Sequence, residues 1–185
     1  MPELFEGTSI AGMSLRNRFV RSATWEGMAD REGGVTRKLT ETMIDLARGE
    51  VGLIIGSYTF VSPEGQSSPG QLAAYDDRFF PGLRDMASAV HAAEGKIALQ
   101  LVHGGCNANS KLTGSELLGP SAVEKDGRVT CREASRQDLA TIASAFAGAA
   151  GRAKKAGFDA IQIHAAHGFL MSQFLRWMFP FRLKC

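Results

Sequence analysis

The chain has 185 residues, of which 44% are hydrophobic and 22% charged, so it can bury a full core and lacks the composition of a disordered protein. The formal net charge is +2 and no run of Lys or Arg exceeds Lys154-Lys155, which excludes an electrostatic footprint for nucleic acid. The N-terminus has no basic leader, and no window is apolar enough to span a bilayer. We therefore expect a cytoplasmic protein with no membrane partner.

The three cysteines are Cys106, Cys131 and Cys185, which lie far apart in the sequence and form no C-x-x-C pair. Their odd number and their spacing argue against both a disulfide framework and a zinc site. We therefore expect reduced thiols in a reducing compartment.

Scattered apolar positions around glycines in residues 4–15 predict a short hairpin that covers one end of a larger domain. A first strand follows from Arg18 and ends in the small and hydroxyl residues Ser22, Ala23 and Thr24. Such an exit leaves room for a flat ligand, although a plain turn explains the same residues.

Helical periodicity over residues 36–48, followed by Gly49 at the expected cap position, predicts the first helix. The continuous apolar run of residues 51–56 is typical of a strand that is buried on both faces in a parallel sheet. Ser57 and Tyr58 are expected at the exit of this strand.

A second helix is predicted from Pro81 to Gly95, and a strand follows over residues 96–101. Gln100 interrupts the apolar pattern of that strand, and burying its amide without a partner costs about 1 to 3 kcal/mol. A bound ligand, a backbone group or a water molecule can supply that partner. Residues 106–132 are expected to form a long polar loop.

Ser135 and Asp138 resemble a capping box and predict the start of a third long helix. The apolar strand of residues 159–163 then runs into His164 and His167. Polar groups at the C-terminal ends of barrel strands face a shared pocket and favour a functional site. Two other interpretations are histidines that cap a helix or lie satisfied in the core, and a metal hydrolase, for which no carboxylate accompanies the pair at the other strand exits.

The predicted strands begin near residues 18, 51, 96 and 159, and a helix follows each of the first three. This spacing is typical of βα units. Four such units predict an α/β fold of the (β/α)8 TIM-barrel type, of which the chain supplies the N-terminal half with a hairpin cap.

Four motifs resemble the old yellow enzyme family of NADH:flavin oxidoreductases, and they occur in the order and spacing of that family. They are LRNRFVRSAT at 15–24, GLIIGSYTFVSPEG at 52–65, ALQLVHGG at 98–105 and AIQIHAAHGFLMSQFL at 160–175. The resemblance implies a barrel that holds FMN at its C-terminal mouth. It also implies hydride transfer from NAD(P)H through the flavin to a small-molecule substrate, an electron-poor alkene or similar acceptor.

The resemblance also implies roles for individual residues. The implied cofactor-binding residues are Ser22, Ala23, Thr24, Ser57, Tyr58 and Gln100, of which Gln100 would hydrogen-bond the pyrimidine end of the flavin. The implied catalytic pair is His164 and His167, which would bind the activating oxygen of the substrate. Donors aimed at an oxygen where enolate charge develops lower the barrier for hydride attack.

The sequence departs from the family pattern at three places. Phe169 stands where many relatives carry a tyrosine that protonates the α-carbon of the substrate, and Trp25 stands where one subgroup has a redox-tuning cysteine. We expect residues 1–175 to form the half barrel and residues 176–185 to be a divergent tail produced by a frameshift or truncation. The exposed strand edges of a half barrel predict a homo-oligomer. The alternative is a noncatalytic half barrel that self-associates and binds no flavin.

Overall fold

A parallel sheet with helices on one face forms the body of the chain, and the computed structural model describes residues 3–175. The strands are β1 (Thr8–Ile10), β2 (Met13–Leu15), β3 (Val20–Arg21), β4 (Leu53–Phe60), β5 (Ile97–Val102), β6 (Leu118–Gly119), β7 (Val123–Lys125), β8 (Arg128–Glu133) and β9 (Ala160–Ile163). The helices are α1 (Arg37–Arg48), α2 (Phe80–Ala92), α3 (Ser110–Thr113), α4 (Arg136–Lys155) and α5 (Leu170–Leu175). The expected divergent tail, residues 176–185, lies outside the described residues.

The main sheet has the order β3-β4-β5-β9, and each neighbouring pair is parallel. α1, α2 and α4 connect successive strands of this sheet, which is the crossover that parallel strands require. This is the architecture of half an eight-stranded (β/α) barrel, as the strand spacing predicts. β1 and β2 form the predicted antiparallel hairpin. Among the described residues, no helix has the length and apolar character to cross a membrane.

The main core lies between the sheet and the three long helices. Its largest fully buried members include Leu39 and Met43 of α1, Leu83 and Met86 of α2, and Ile54, Ile97, Leu99 and Leu101 of the sheet. A smaller cluster on the opposite face of the sheet joins Leu15 of the hairpin to Leu53, Ile55 and Ala98. The hairpin therefore closes the inner face of the half barrel near the starts of its strands.

α4 begins with the capping box that the sequence predicts. The Asp138 N–H donates to Ser135 Oγ at 3.1 Å, and the Ser135 N–H donates to the Asp138 carboxylate at 2.8 Å. Each side chain thus satisfies a backbone donor that the first helical turn leaves free.

Residues 106–132, expected to be a loop, contain a small sheet of order β6-β8-β7. The sequence did not predict these strands because β6 has only two residues, and β7 and β8 are polar and mostly exposed, so they lack an apolar pattern. One local signal was present: Asp126 and Gly127 have φ values of 52° and 71° between β7 and β8. Asp-Gly is a preferred pair for such a hairpin turn.

Candidate active site

A β-bulge in β4 sets the direction of the side chains near its end. Ile55 pairs with Ala98, and the next pair is Tyr58 with Gln100, so β4 has one residue more than β5 between the two pairs. Gln100 pairs in turn with Gln162 of β9. Tyr58, Gln100 and Gln162 therefore form one row across the sheet, beyond the smaller apolar cluster and on the same face.

The two glutamines of this row bond to each other. Gln100 Nε2 donates to Gln162 Oε1 at 2.6 Å, so the partner of the half-buried Gln100 amide is a side chain. Each primary amide carries both a donor and an acceptor. The Gln100 Oε1 acceptor and the Gln162 Nε2 donor therefore remain available to another molecule. Sequence reasoning missed Gln162, although it is the one polar residue within the apolar strand β9.

His164 follows β9 directly and is 7% exposed. Its backbone N–H donates to the Leu101 carbonyl at 2.9 Å, and its Nδ1 accepts from the Ala166 N–H at 3.3 Å. Burial, and then the nearby His167 ring, lower the pKa of His164, which favours the neutral imidazole. Since Nδ1 is an acceptor, the ring hydrogen lies on Nε2, which can donate to a ligand.

His167 lies beside His164, with ring centroids 5.1 Å apart. Its φ is +56°, a left-handed conformation that is unfavourable for a residue with a Cβ. The turn is held because the Gly168 carbonyl accepts from Asn107 Nδ2 at 2.8 Å and from Gln173 Nε2 at 2.6 Å. A strained residue that its surroundings hold in place is a common feature of functional sites.

Three rings form an aromatic wall beside the histidine pair. The Tyr58 ring stacks on the Phe169 ring at 5.6 Å between centroids and meets the His164 ring edge-on at 6.3 Å. The Tyr58 hydroxyl lies 2.8 Å from Ser68 Oγ. Burial raises the pKa of Tyr58, while the hydrogen bond to Ser68 opposes that effect. The phenol is therefore protonated at neutral pH.

The other predicted cofactor residues lie at the same end of the sheet but differ in exposure. Ser22 and Thr24 are exposed, whereas Ala23 packs against the smaller apolar cluster. Ser57 and Tyr58 were expected at the exit of the second strand. Both lie within β4, because β4 continues to pair with β5 beyond the bulge, as far as Phe60. Ser57 is 3% exposed and its Oγ has no hydrogen-bond partner among residues 3–175.

The expectation of reduced thiols is wrong for two of the cysteines. Cys106 and Cys131 form a disulfide, with their Cα atoms 5.4 Å apart and a sequence separation of 25. The sequence argument failed because β8 folds back onto the turn after β5, which brings distant positions together. Gln173 reaches the same turn, where its Oε1 accepts from the Cys106 N–H at 3.2 Å. The disulfide therefore supports the turn that carries Asn107.

A second buried histidine joins the loops that follow β4 and β5. His103 is 2% exposed, and its Nδ1 accepts from the Gly105 N–H at 3.0 Å, so its Nε2 carries the hydrogen. That nitrogen lies 3.6 Å from Glu64 Oε1. The His103 ring lowers the pKa of Glu64 to about 2, although burial acts in the opposite direction.

The depressed pKa of Glu64 predicts loss of stability in acid. The folded-state pKa lies below the ordinary 4.5, so the contribution of this carboxylate is present above pH 4.5 and is lost as the pH falls toward 2. Urea melts at pH values across this window should show a steeper loss of stability for wild type than for Glu64→Gln. The exposed Glu124 of β7 supplies a matched control, since Glu124→Gln should retain the wild-type profile. Equal profiles for wild type and Glu64→Gln would contradict this assignment.

The row formed by Tyr58, Gln100 and Gln162, here called the inward-facing row, fits the polar edge of a flat heterocycle. Gln100 and Gln162 offer an amide donor and acceptor side by side, and at the position before Tyr58 in β4 the buried Ser57 Oγ has no partner among the described residues. An isoalloxazine edge alternates carbonyl oxygens with an N–H group, which complements such amides. (β/α)8 barrels frequently bind phosphate at the loops after strands seven and eight. The four strands of the main sheet therefore fit the ring end of a flavin rather than its phosphate.

The fold is that of half a (β/α) barrel, and the candidate site lies at the C-terminal ends of its strands. The chain belongs to the NADH:flavin oxidoreductase / NADH oxidase family, whose model matches residues 3–182. The family agrees with the expectation of FMN as cofactor and NAD(P)H as reductant.

The metal-hydrolase interpretation gains no support, since no group of three or more His, Cys, Asp and Glu side chains in residues 3–175 is arranged to hold a metal.

Individual relatives agree with this assignment. The chain is 37% identical to an NADPH dehydrogenase of Halalkalibacterium halodurans over 94% of its length and 51% of the relative. It is 40% identical to a metal reductase of Desulforamulus reducens, covering 95% of this chain and 26% of that protein. An old yellow enzyme homologue from Zymomonas mobilis superposes with a TM-score of 0.87 at 30% identity, over 95% of this chain and 52% of that one. The chain thus spans about half the length of the NADPH dehydrogenase and of the old yellow enzyme homologue.

Proposed function

We propose that this chain carries the substrate-binding part of an FMN-dependent oxidoreductase that transfers a hydride from NAD(P)H to an electron-poor alkene or similar acceptor. The observation that carries the proposal is the proximity of the His164 and His167 rings, 5.1 Å apart, at the strand end that also bears the Gln100–Gln162 pair. Hydrogen-bond donors thus lie next to a surface suited to a flat cofactor.

Each side chain has a role that follows from its chemistry. We assign Gln100, with Gln162, to the polar edge of the flavin, and Ser57 and Tyr58 to the neighbouring flavin edge. Ser22, Ala23 and Thr24, which follow β3, line the cofactor. When bound, FMN supplies hydride transfer between the nicotinamide and the acceptor.

The histidine pair binds the activating oxygen of the substrate. His164 Nε2 can donate a hydrogen bond because its Nδ1 already accepts one from the Ala166 N–H. The oxygen becomes negative as hydride adds to the substrate, and donors that are already held in position stabilise that charge without reorganising. The strained turn at His167 holds the second ring toward the same oxygen.

We also propose that the barrel is completed by association through its open edges. Ile161 and Ile163 of β9 are 40% and 43% exposed, and β9 pairs only with β5 among the described strands. A parallel strand with one unpaired edge and exposed isoleucines favours pairing with another chain, and a second copy is the simplest partner. The same edge favours the alternative, a noncatalytic half barrel that self-associates and binds no flavin.

A visible spectrum distinguishes the two candidates. Purified protein soaked with FMN and freed of excess should retain flavin absorption, which should bleach on anaerobic addition of NAD(P)H. Subsequent addition of cyclohex-2-enone should restore the oxidised spectrum and yield cyclohexanone. A colourless protein that neither retains FMN nor oxidises NAD(P)H would contradict the oxidoreductase and favour the noncatalytic alternative.

A further inference from the structure

We propose that Tyr58 is the general acid that protonates the α-carbon of the substrate, replacing the donor that Phe169 cannot provide. This inference rests on the proposed function and deepens it. Reduction of an activated alkene requires one hydride and one proton, and a phenyl ring has no proton to give.

The position of Tyr58 supports this role. Its ring stacks on Phe169 at 5.6 Å between centroids, so its phenol occupies the space next to the residue whose hydroxyl is missing. It also meets His164, the proposed ligand of the substrate oxygen, at 6.3 Å between ring centroids. In an activated alkene the α-carbon is two bonds from that oxygen. A group beside the histidine pair therefore lies beside the carbon that needs the proton.

The bulge in β4 supports the same assignment. Without the extra residue, Ser57 would pair with Gln100, and a short hydroxymethyl group would occupy the inward row. With it, Tyr58 pairs with Gln100 and its long side chain reaches the aromatic wall. Bulges often redirect a side chain next to an active site. The chain has two tyrosines, and the other, Tyr75, packs with Phe60 and Phe79 in the main core.

The protonation step balances with groups that the chain supplies. Hydride addition at the β-carbon moves the alkene π electrons toward the substrate oxygen and forms an enolate, which His164 and His167 stabilise. The enolate electron pair then forms a C–H bond at the α-carbon with the Tyr58 hydroxyl proton. The resulting phenolate recovers a proton from solvent through the half-buried Ser68, whose Oγ lies 2.8 Å away. Burial, which raises the pKa of the Tyr58 phenol, keeps it protonated between turnovers.

The test compares two acceptors on FMN-loaded protein reduced by NADPH. Cyclohex-2-enone needs a proton at carbon, whereas ferricyanide takes electrons alone. In Tyr58→Phe, the ratio of cyclohexenone to ferricyanide turnover should fall by roughly 100-fold, the scale of general acid catalysis. Any general loss of folding or flavin cancels in this ratio. The double variant Tyr58→Phe/Phe169→Tyr should recover most of the ratio, and Tyr75→Phe should leave it unchanged.

A second readout does not depend on turnover. Tyrosinate absorbance at alkaline pH should show a component in wild type that titrates with a pKa above the ordinary 10 and that is lost in Tyr58→Phe. A wild-type ratio in Tyr58→Phe, or a Tyr58 that titrates below neutrality, would overturn the inference and leave the proposed function standing. Failure of wild type to retain FMN would overturn the proposed function and the inference together.

Discussion

Replacement of His164 by Ala should lower turnover of cyclohex-2-enone by roughly 10² to 10³-fold, the range measured when one oxyanion donor is removed from an active site. His164 is 7% exposed, and in the proposed function its Nε2–H donates to the substrate oxygen, a contact that matters most as enolate charge develops. His167→Ala should have an effect in the same direction. Ferricyanide turnover, which involves no enolate, should fall far less in both variants.

His91 provides a matched control for the histidine pair. It lies on α2, and its Nε2 is 2.8 Å from Asp159, at the start of β9 and therefore at the opposite end of the sheet. His91→Asn should retain the ratio of cyclohexenone to ferricyanide turnover. Equal losses in His164→Ala and His91→Asn would show that stability rather than substrate binding explains the effect, and would contradict the assignment of the pair.

Loss of the disulfide should cost about 3.5 kcal/mol of unfolding free energy. Cys106 and Cys131 are 25 positions apart, and closing a loop of that length restricts the unfolded chain by about this amount in the chain-entropy model. Urea melts of Cys131→Ser and of wild type, each with and without dithiothreitol, measure the effect. Reductant should destabilise wild type to the level of the variant and leave the variant unchanged.

Loss of the Cys106–Cys131 disulfide should also loosen the turn that carries His167. Asn107 follows Cys106 and donates to the Gly168 carbonyl next to His167. Cys131→Ser should therefore accelerate amide exchange at residues 105–107 and 167–168 more than along β4. Peptide mapping of unreduced protein should find Cys106 linked to Cys131. Finding both thiols free, with identical melts in reductant, would contradict this account.

The sequence predicted the parallel sheet and its long helices because local patterns specify them. The apolar run at 51–56 and the helical periodicity at 36–48 reflect burial within a single element. The capping box of Ser135 and Asp138 was predictable for the same reason, because it depends only on residues three positions apart. Resemblance to the family then supplied roles for the residues at the strand ends. Those roles and the cytoplasmic location stay predictions.

Other features depend on pairings between distant segments. Gln162 becomes part of the candidate site only because β5 and β9 lie side by side. The disulfide forms only because β8 returns to the turn after β5. The bulge that places Tyr58 in the inward row arises from the register between β4 and β5, which the sequence of β4 alone does not specify. Long-range register therefore limited what the sequence could predict about this site.

Equilibrium binding of FMN, followed by quenching of flavin fluorescence, tests the central claim most directly. We predict saturable binding by wild type and an affinity at least about tenfold lower for Gln100→Leu, since about 1.4 kcal/mol corresponds to one good hydrogen bond. The exposed Gln137 of α4 gives a control, Gln137→Leu, that should bind as wild type does. Equal FMN affinity in Gln100→Leu and wild type, or no saturable binding at all, would contradict a flavin site at the inward-facing row of this half barrel.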